Sequence, residues 1–445
     1  MNQQLAICLG AALSIVMSTA VKSRAVDEWP QFRGPQADGH ADSTKIPLNW
    51  RETENVAWKT EVPGTGHSSP VISGDQIWVT SAVEVKLSAD AEKERLAAIK
   101  NSRGLEIAGS ISLRAICFSR TSGKLLHDIE LVKVDEPEPI HSLNSYASPT
   151  PILENGRLYC HFGTYGTVAV DTKSGKIIWA NAEHHVDHQN GPGASPAIWR
   201  NNLVINFDGI DTQYVAAIDK RDGKTIWQTK RSGKMNERVE FQKCYSTSAI
   251  IEDKDRGSQV ISPGADWVYS YDPASGKELW KASYGTLGFS TVPLPVFGNG
   301  LVFVSTSFIR PRLLAVRYDG TEAKDGSLVE WQMDGQLPQK PSMLLIDDEL
   351  YFVTDKGIGM CLDARTGSEH WKERVEGNYS ASPLYANGRI YLFSQAGTTV
   401  VVNASKQFEK VAENTLDGGF MASPAVAGDA LFVRTDTHLY RIEEK

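Results

Sequence analysis

Hydrophobic runs are almost absent from these 445 residues. The one sustained stretch, Leu5 to Met17, is about 13 residues, short of the ~20 that a membrane-spanning helix needs. It suits the apolar core of a signal peptide cleaved near Ser23-Arg24-Ala25, so residues 1–25 are expected to be removed. Cys8 follows Ile7 inside that run, which does not fit a lipid-bearing cysteine. The expectation is a periplasmic or secreted protein without a membrane span. Runs of Lys and Arg are missing as well, and the formal net charge is −8. That excludes the usual electrostatic footprint for nucleic acid. Cysteine is scarce: past the signal only Cys117, Cys160, Cys244 and Cys361 remain. They fall in different repeats, and two occupy a slot that elsewhere holds a small buried residue, so buried free thiols are predicted rather than disulfides. No nucleophile elbow, no glycine-rich phosphate loop and no HExxH pair occurs.

What the chain does contain is one frame, repeated. Ala169-Val-Asp171-Thr-Lys-Ser174-Gly175-Lys176-Ile-Ile-Trp179 is two short apolar strands around a tight turn, closed by a tryptophan. Asp171 can accept backbone N–H bonds across the turn, and Gly175 can supply the positive φ of a bulged hairpin. The frame returns at Ala217–Trp227, Ser270–Trp280 and Cys361–Trp371, and in eroded form at Trp331, while His127 stands where a tryptophan is expected. A supersecondary unit recurring every ~40–50 residues predicts a propeller or solenoid.

Most repeats open on a Ser-Pro-type step: His67-Ser-Ser-Pro70, Ala147-Ser-Pro149, Ala194-Ser-Pro196, Tyr379-Ser-Ala-Ser-Pro383 and Phe420-Met-Ala-Ser-Pro424. The last repeat has three strands and no fourth, whereas Asn55–Thr60 is a lone strand carrying Trp58. Pairing the two closes the ring and removes the exposed edges. The prediction is an all-β, eight-bladed propeller of four-stranded antiparallel blades over 55–445, preceded by an arm over 26–54. Within the first blade, the stretch Ser88 to Lys100 has a capping serine, early acids and late bases, which predicts a short helix with Leu96 and Ile99 on one face.

The turn frame resembles the tryptophan-docking motif of pyrroloquinoline-quinone (PQQ) propeller repeats, over nearly the whole mature chain. With Trp29-Pro-x-Phe-Arg-Gly-Pro, Gly66-His-Ser-Ser-Pro70 and Asn190-Gly-Pro-Gly, the chain looks like the exported PQQ-binding-like repeat proteins, which are also likened to the outer-membrane assembly factor BamB. The resemblance implies that Trp58, Trp179, Trp227, Trp280, Trp331 and Trp371 pack between blades. It offers PQQ and Ca²⁺ as cofactors by family name alone. Quinoprotein dehydrogenases carry adjacent cysteines, and no Cys-Cys pair exists here.

Three constellations could carry binding or chemistry. Glu183-His184-His185-Val-Asp187-His188 gathers imidazoles and carboxylates on a blade-connecting loop, and could hold a transition ion or be a polar loop. Asp208 and Asp211 could serve calcium or cap a turn. Residues just before the inner strands, His67, Tyr146, Tyr245, Phe289, Tyr379 and Phe420, should crowd the channel mouth. There they would stack a planar ligand or plug the axis. Arg310, Arg312 and Arg317 border the fifth blade's hairpin. The leading expectation is a non-catalytic scaffold that binds a protein or small-molecule ligand at one face. The alternatives are a PQQ-dependent alcohol or sugar dehydrogenase and a BamB-like assembly factor.

Overall fold

The computed structural model describes residues 28–444 except 44, 254–255, 286–287 and 323–325; the expected signal segment lies outside the described residues. Eight sheets, each with four antiparallel strands, are arranged as the blades of one propeller, and one of them gains a fifth strand. The first blade is Val71–Ser73, Gln76–Lys86, Ala108–Ser119 and Leu125–Asp135; the second is Ile152–Glu154, Arg157–His161, Thr167–Asp171 and Ile177–Asn181. The pattern continues to the seventh, Leu384–Ala386 through Lys410–Thr415. The eighth takes three strands from Ala425–Ala427, Ala430–Arg434 and His438–Ile442, and its outer strand is Val56–Glu61. Thr60 pairs with Leu439 and Glu61 with His438, so the ring closes by joining distant parts of the chain.

The repeat frame has one geometric reason in the blades that keep it whole. Trp179 stands directly across from Ala169, Trp227 from Ala217, Trp280 from Ser270 and Trp371 from Cys361. A small residue there leaves room for the indole to lean out toward the next blade. Each indole N–H then donates to a carbonyl in the next blade's outer turn: Trp58 to Arg120 at 3.0 Å, Trp179 to Lys220 at 3.1 Å, Trp227 to Pro273 at 3.1 Å. Trp280 donates to Tyr318 at 3.2 Å, Trp331 to Ala364 at 3.0 Å and Trp371 to Ser405 at 2.9 Å. The turn glycine lies beneath the ring. A Cβ on Gly223 would come within 2.5 Å of the Trp179 indole, and Gly276 meets Trp227 in the same way. Glycine is thus required twice, for φ of +78° and +71° and for this contact. Where His127 replaces tryptophan, its ring stacks on Trp78, and the Gln76 side chain donates to Thr172 O at 3.0 Å instead.

The Ser-Pro steps form a second connection, nearer the axis. The Ser69 N–H donates to Thr150 Oγ1, Thr150 N–H to Ser195 Oγ and Ser195 N–H to Thr247 Oγ1, each at 2.9 Å. Leu294 N–H donates to Ser342 Oγ and Ser342 N–H to Ser382 Oγ at 3.0 Å, and Ser382 N–H to Ser423 Oγ at 2.9 Å. These serines tie blade to blade, which satisfies backbone donors that burial would otherwise strand. At the closing seam the buried Arg434 takes over, donating from Nη1 to Ser68 Oγ and to Thr80 O, both at 2.9 Å.

The arm follows a path that no periodicity announces. Trp29 exchanges backbone bonds with Ile72 of the first blade, and Leu153 N–H of the second donates to Pro30 O. Arg33, buried, donates to Asp38 O and to Met343 O of the sixth blade. His40–Ala41 then adds a parallel strand to the inner edge of the seventh blade. The arm therefore crosses the axis at the face carrying the inner hairpin turns. Trp50 packs onward against Tyr391, with its N–H donating to Asn414 Oδ1 from the backbone at 2.8 Å.

Candidate functional site

The face opposite the arm carries the segments that enter each inner strand, together with the first blade's extension. Its strands run on to Lys86 and from Ala108, and the helix Ala89–Ala97 sits on them. Ser88 caps the helix, its Oγ accepting from Ala91 N–H at 3.3 Å. Leu96 and Ile99 are half-buried, and polar bonds hold the helix: Arg95 donates to Ala108 O at 3.0 Å and to Pro137 O at 3.1 Å.

The aromatic residues before the inner strands do not share one environment. Tyr146, Tyr245, Phe289, Tyr379 and Phe420 are buried, and His67 is half-buried. The Tyr146 hydroxyl donates to Glu138 O, that of Tyr245 to His188 O, and that of Tyr379 to Val375 O. Phe289 stacks on Phe241 at 4.4 Å, and Phe420 meets Phe393 edge-on. Counting back two residues from each serine or threonine of the inner connection gives a ring that shares only His67 and Tyr245 with these. Ser148, Gly193, Lys340, Ser380 and Met421 complete it; they and His67 are partly exposed, whereas Tyr245 is buried. Tyr146, Tyr379 and Phe420 precede that ring by one or two residues. This offset within loops of unequal length is invisible to a motif search. Lys243 is also at this face, reaching the Gln189 side chain, and burial lowers its pKa to about 8.

The histidine loop disperses its side chains. His184 is buried, with Nε2 2.8 Å from Thr225 Oγ1 and its ring stacked on Phe207 at 4.7 Å. His185 is exposed, with Nδ1 2.5 Å from Thr164 Oγ1 and Nε2 3.9 Å from a Glu138 oxygen. The Asp187 carboxylate accepts from Gln189 N–H at 2.8 Å. His188 is buried, and among the described residues its ring nitrogens have no hydrogen-bond partner. Among the described residues, no three His, Cys, Asp or Glu side chains are disposed to hold a metal ion. Asp208 and Asp211 also part company. Asp208 is fully buried in a bidentate pair with Arg231, at 3.0 and 2.7 Å, while Asp211 accepts from Asp187 N–H at 2.9 Å. Of the three arginines, Arg312 pairs with Asp334 and Arg317 with Glu330. The four described cysteines are free and buried.

Charge is unevenly placed around this loop. Burial, with Asp187 and Asp211 nearby, pushes the Glu138 carboxyl up to about 7. Sequence reasoning missed Glu138, which comes from the connection into the second blade. Burial lowers His161 to about 3 and His188 and His67 to about 4. These imidazoles are neutral in the folded protein and take up protons on unfolding, so their stabilisation is complete above ~6.5 and is lost as pH falls toward 4. Glu138 acts oppositely, binding its proton in the folded state up to about pH 7. The histidines outnumber it, so stability should fall on acidification, by about 1.4 kcal/mol per pH unit for each net proton. Denaturant midpoints measured from pH 7 to 4 would check this. Replacing His161 by Asn should flatten the slope by close to one proton; an unchanged slope would contradict the burial argument.

The comparisons agree on the architecture. A family model described as outer membrane protein assembly factor BamB matches residues 102–254 and 211–445. The tetrathionate hydrolase of Acidithiobacillus ferrooxidans is 19% identical over 77% of this chain, and the chain spans 65% of that protein's length. A quinohemoprotein alcohol dehydrogenase of Pseudomonas putida is 24% identical over 34% of this chain and 21% of its own length. Among solved structures, BamB from Moraxella catarrhalis superposes with a TM-score of 0.56 at 11% identity, covering 87% of this chain and 99% of that one. A europium-containing methanol dehydrogenase reaches 0.64 at 10% identity, covering 94% and 98%. At such identities the structures share the fold and nothing finer. With more than half of its length matched by the model, the chain belongs to the PQQ-like β-propeller family that includes BamB.

Proposed function

We propose that this protein is an exported, non-catalytic propeller that binds a partner protein at the face opposite the arm. One observation carries the reading. Phe308 and Ile309, at the tip between Leu301–Ser305 and Arg312–Arg317, are 64% and 52% exposed, and Val239 nearby in the ring of loops is 49% exposed. Phe308 continues edge-on into Phe289, which stacks on Phe241, so the apolar surface is a ridge and not a single stray side chain. Exposed apolar clusters of this kind mark contact surfaces. The family description and the fold shared with BamB support a protein as the partner. No described helix is long and apolar enough to cross a membrane.

The quinoprotein alternative fares worse on donor chemistry. Among the described residues no side-chain trio is disposed for calcium, and the four described cysteines fall in separate blades, so these residues assemble neither an acidic calcium site nor a cysteine pair. A photo-crosslinking residue placed at 308 should capture a protein partner in cells, and the paired change Phe308→Ser with Ile309→Ser should abolish capture at 309-adjacent positions without lowering the melting temperature. A saturable thermal shift on titration with PQQ and Ca²⁺, with capture at 308 absent, would sink the scaffold reading.

A further inference from the structure

Three arginines are buried among the described residues, Arg33, Arg231 and Arg434, and their partners differ. Arg231 grips the Asp208 carboxylate, and Arg434 gives its Nη1 to oxygens of Ser68 and Thr80. Arg33 is 1% exposed. It alone of the three leaves buried nitrogens, Nε and Nη1, without an acceptor among the described residues. Its other nitrogen, Nη2, donates to Asp38 O at 2.7 Å and to Met343 O at 2.6 Å. Met343 leads directly into the sixth blade's inner strand, Leu344–Ile346, so the side chain reaches from the arm into the ring of inner strands.

The arm's loop is built around this side chain. Arg33 itself is held at φ 63° and Ala37 at 55°, a backbone region that such residues seldom adopt. Gly39 N–H donates back to Arg33 O at 3.0 Å. A Cβ at Gly39 would stand 2.6 Å from Nη2 and 3.1 Å from Nε, so the absence of a side chain there keeps the Nε edge clear. Asp38 is the carboxylate whose charge acts on the guanidinium, yet the two form no ion pair. Its Oδ1 accepts from His40 N–H at 3.0 Å, and its Oδ2 is 3.9 Å from the His40 ring. Burial lowers the Arg33 pKa to about 10, which leaves the group charged at neutral pH. A buried donor without a partner calls for a water or an ion. Water would supply an acceptor, whereas an enclosed cation also needs an opposite charge.

We propose that Arg33 holds a small spherical anion, chloride by preference, against its free N–H groups, as the counter-charge that seats the arm inside the ring. The two-pronged edges of a guanidinium both use Nη2, which is already committed to two carbonyls. That disfavours a bidentate carboxylate or phosphate and suits an acceptor with no directional demand of its own. The depth of the side chain points the same way, since only a small ion fits without opening the arm.

The site belongs to the arm and is independent of the Phe308 ridge. Thermal unfolding of the full chain should be followed while chloride replaces gluconate, a bulky anion, at constant ionic strength. The midpoint should rise by a few degrees and level off, because a ligand that binds only the folded state stabilises it until the site is saturated. Arg33→Met should abolish that rise. Should this variant fail to fold, bromide-soaked crystals of the unaltered protein decide, with an anomalous peak expected beside Nε or Nη1. Equal midpoints in the two salts overturn the proposal. So does a chloride effect that Arg33→Met retains, or a bromide map with no peak at Arg33.

Discussion

Replacing Arg231 with methionine should destabilise the protein by about 3–5 kcal/mol, because it leaves the Asp208 carboxylate buried without its counter-charge. Both side chains are 0% exposed, and the guanidinium grips both carboxylate oxygens, at 3.0 and 2.7 Å. It also lies 5.0 Å from the Tyr269 ring centroid and donates weakly to the Tyr271 hydroxyl at 3.4 Å. The pair thus joins the third blade to the fourth at a depth that water does not reach. The diagnostic comparison is with the double change Arg231→Met and Asp208→Leu, which removes both charges. That variant should recover most of the loss, since two apolar groups of similar bulk need no pairing. Urea unfolding of the three proteins gives the cycle directly. If Arg231→Met alone shifts the free energy by less than ~1 kcal/mol, the site is wetter than its burial implies.

The second large effect belongs to the docking of Trp179. Its removal as Trp179→Ala empties the space over Gly223 and deletes the bond to Lys220 O, with an expected cost of about 3–5 kcal/mol. The complementary change, Gly223→Val, drives a branched side chain into the indole from below, where even a Cβ would stand 2.5 Å from the ring. It also forces a β-branched residue to φ +78°. Each single variant should unfold at markedly lower temperature, and the pair should be less than additive because both disturb one contact. Full additivity in differential scanning calorimetry would contradict a shared interface. Loss below ~1 kcal/mol for Trp179→Ala would remove the indole from the list of inter-blade contacts altogether.

The parts of this fold that were readable from sequence are those that repeat. The Asp-Gly-Trp frame betrays itself because four blades repeat the same turn, the same bulge and a small residue across from the indole. The lone strand around Trp58 is readable for a related reason: one repeat lacks an outer strand and one strand lacks a repeat. Features used once are silent. Arg434 looks like any strand-end arginine until the closing seam puts Ser68 and Thr80 beside it. Asp208 and Asp211 read as a pair because they are three residues apart, yet a strand end separates them and Arg231, 23 residues later, claims the first. Of the channel-mouth residues, His67 and Tyr245 lie on the ring while Tyr146, Tyr379 and Phe420 fall one or two residues short of it, because the loops entering the inner strands vary in length while the hydroxyl connection does not.

Ring closure between Val56–Glu61 and His438–Ile442 has a consequence for how the molecule is made. The inter-blade contacts of seven blades can form locally as the chain lengthens, but the eighth sheet needs segments almost four hundred residues apart. The loop-closure entropy of that last step is met only once the final strand exists. Until then the first blade's flank and the seventh's are both bare, with apolar faces and unpaired strand edges open to neighbouring chains. The arm adds a second such constraint: its bond from Arg33 to Met343 O and its strand beside Leu384–Ala386 also wait for the later blades, so the N-terminal stretch cannot be fixed until most of the molecule has been made.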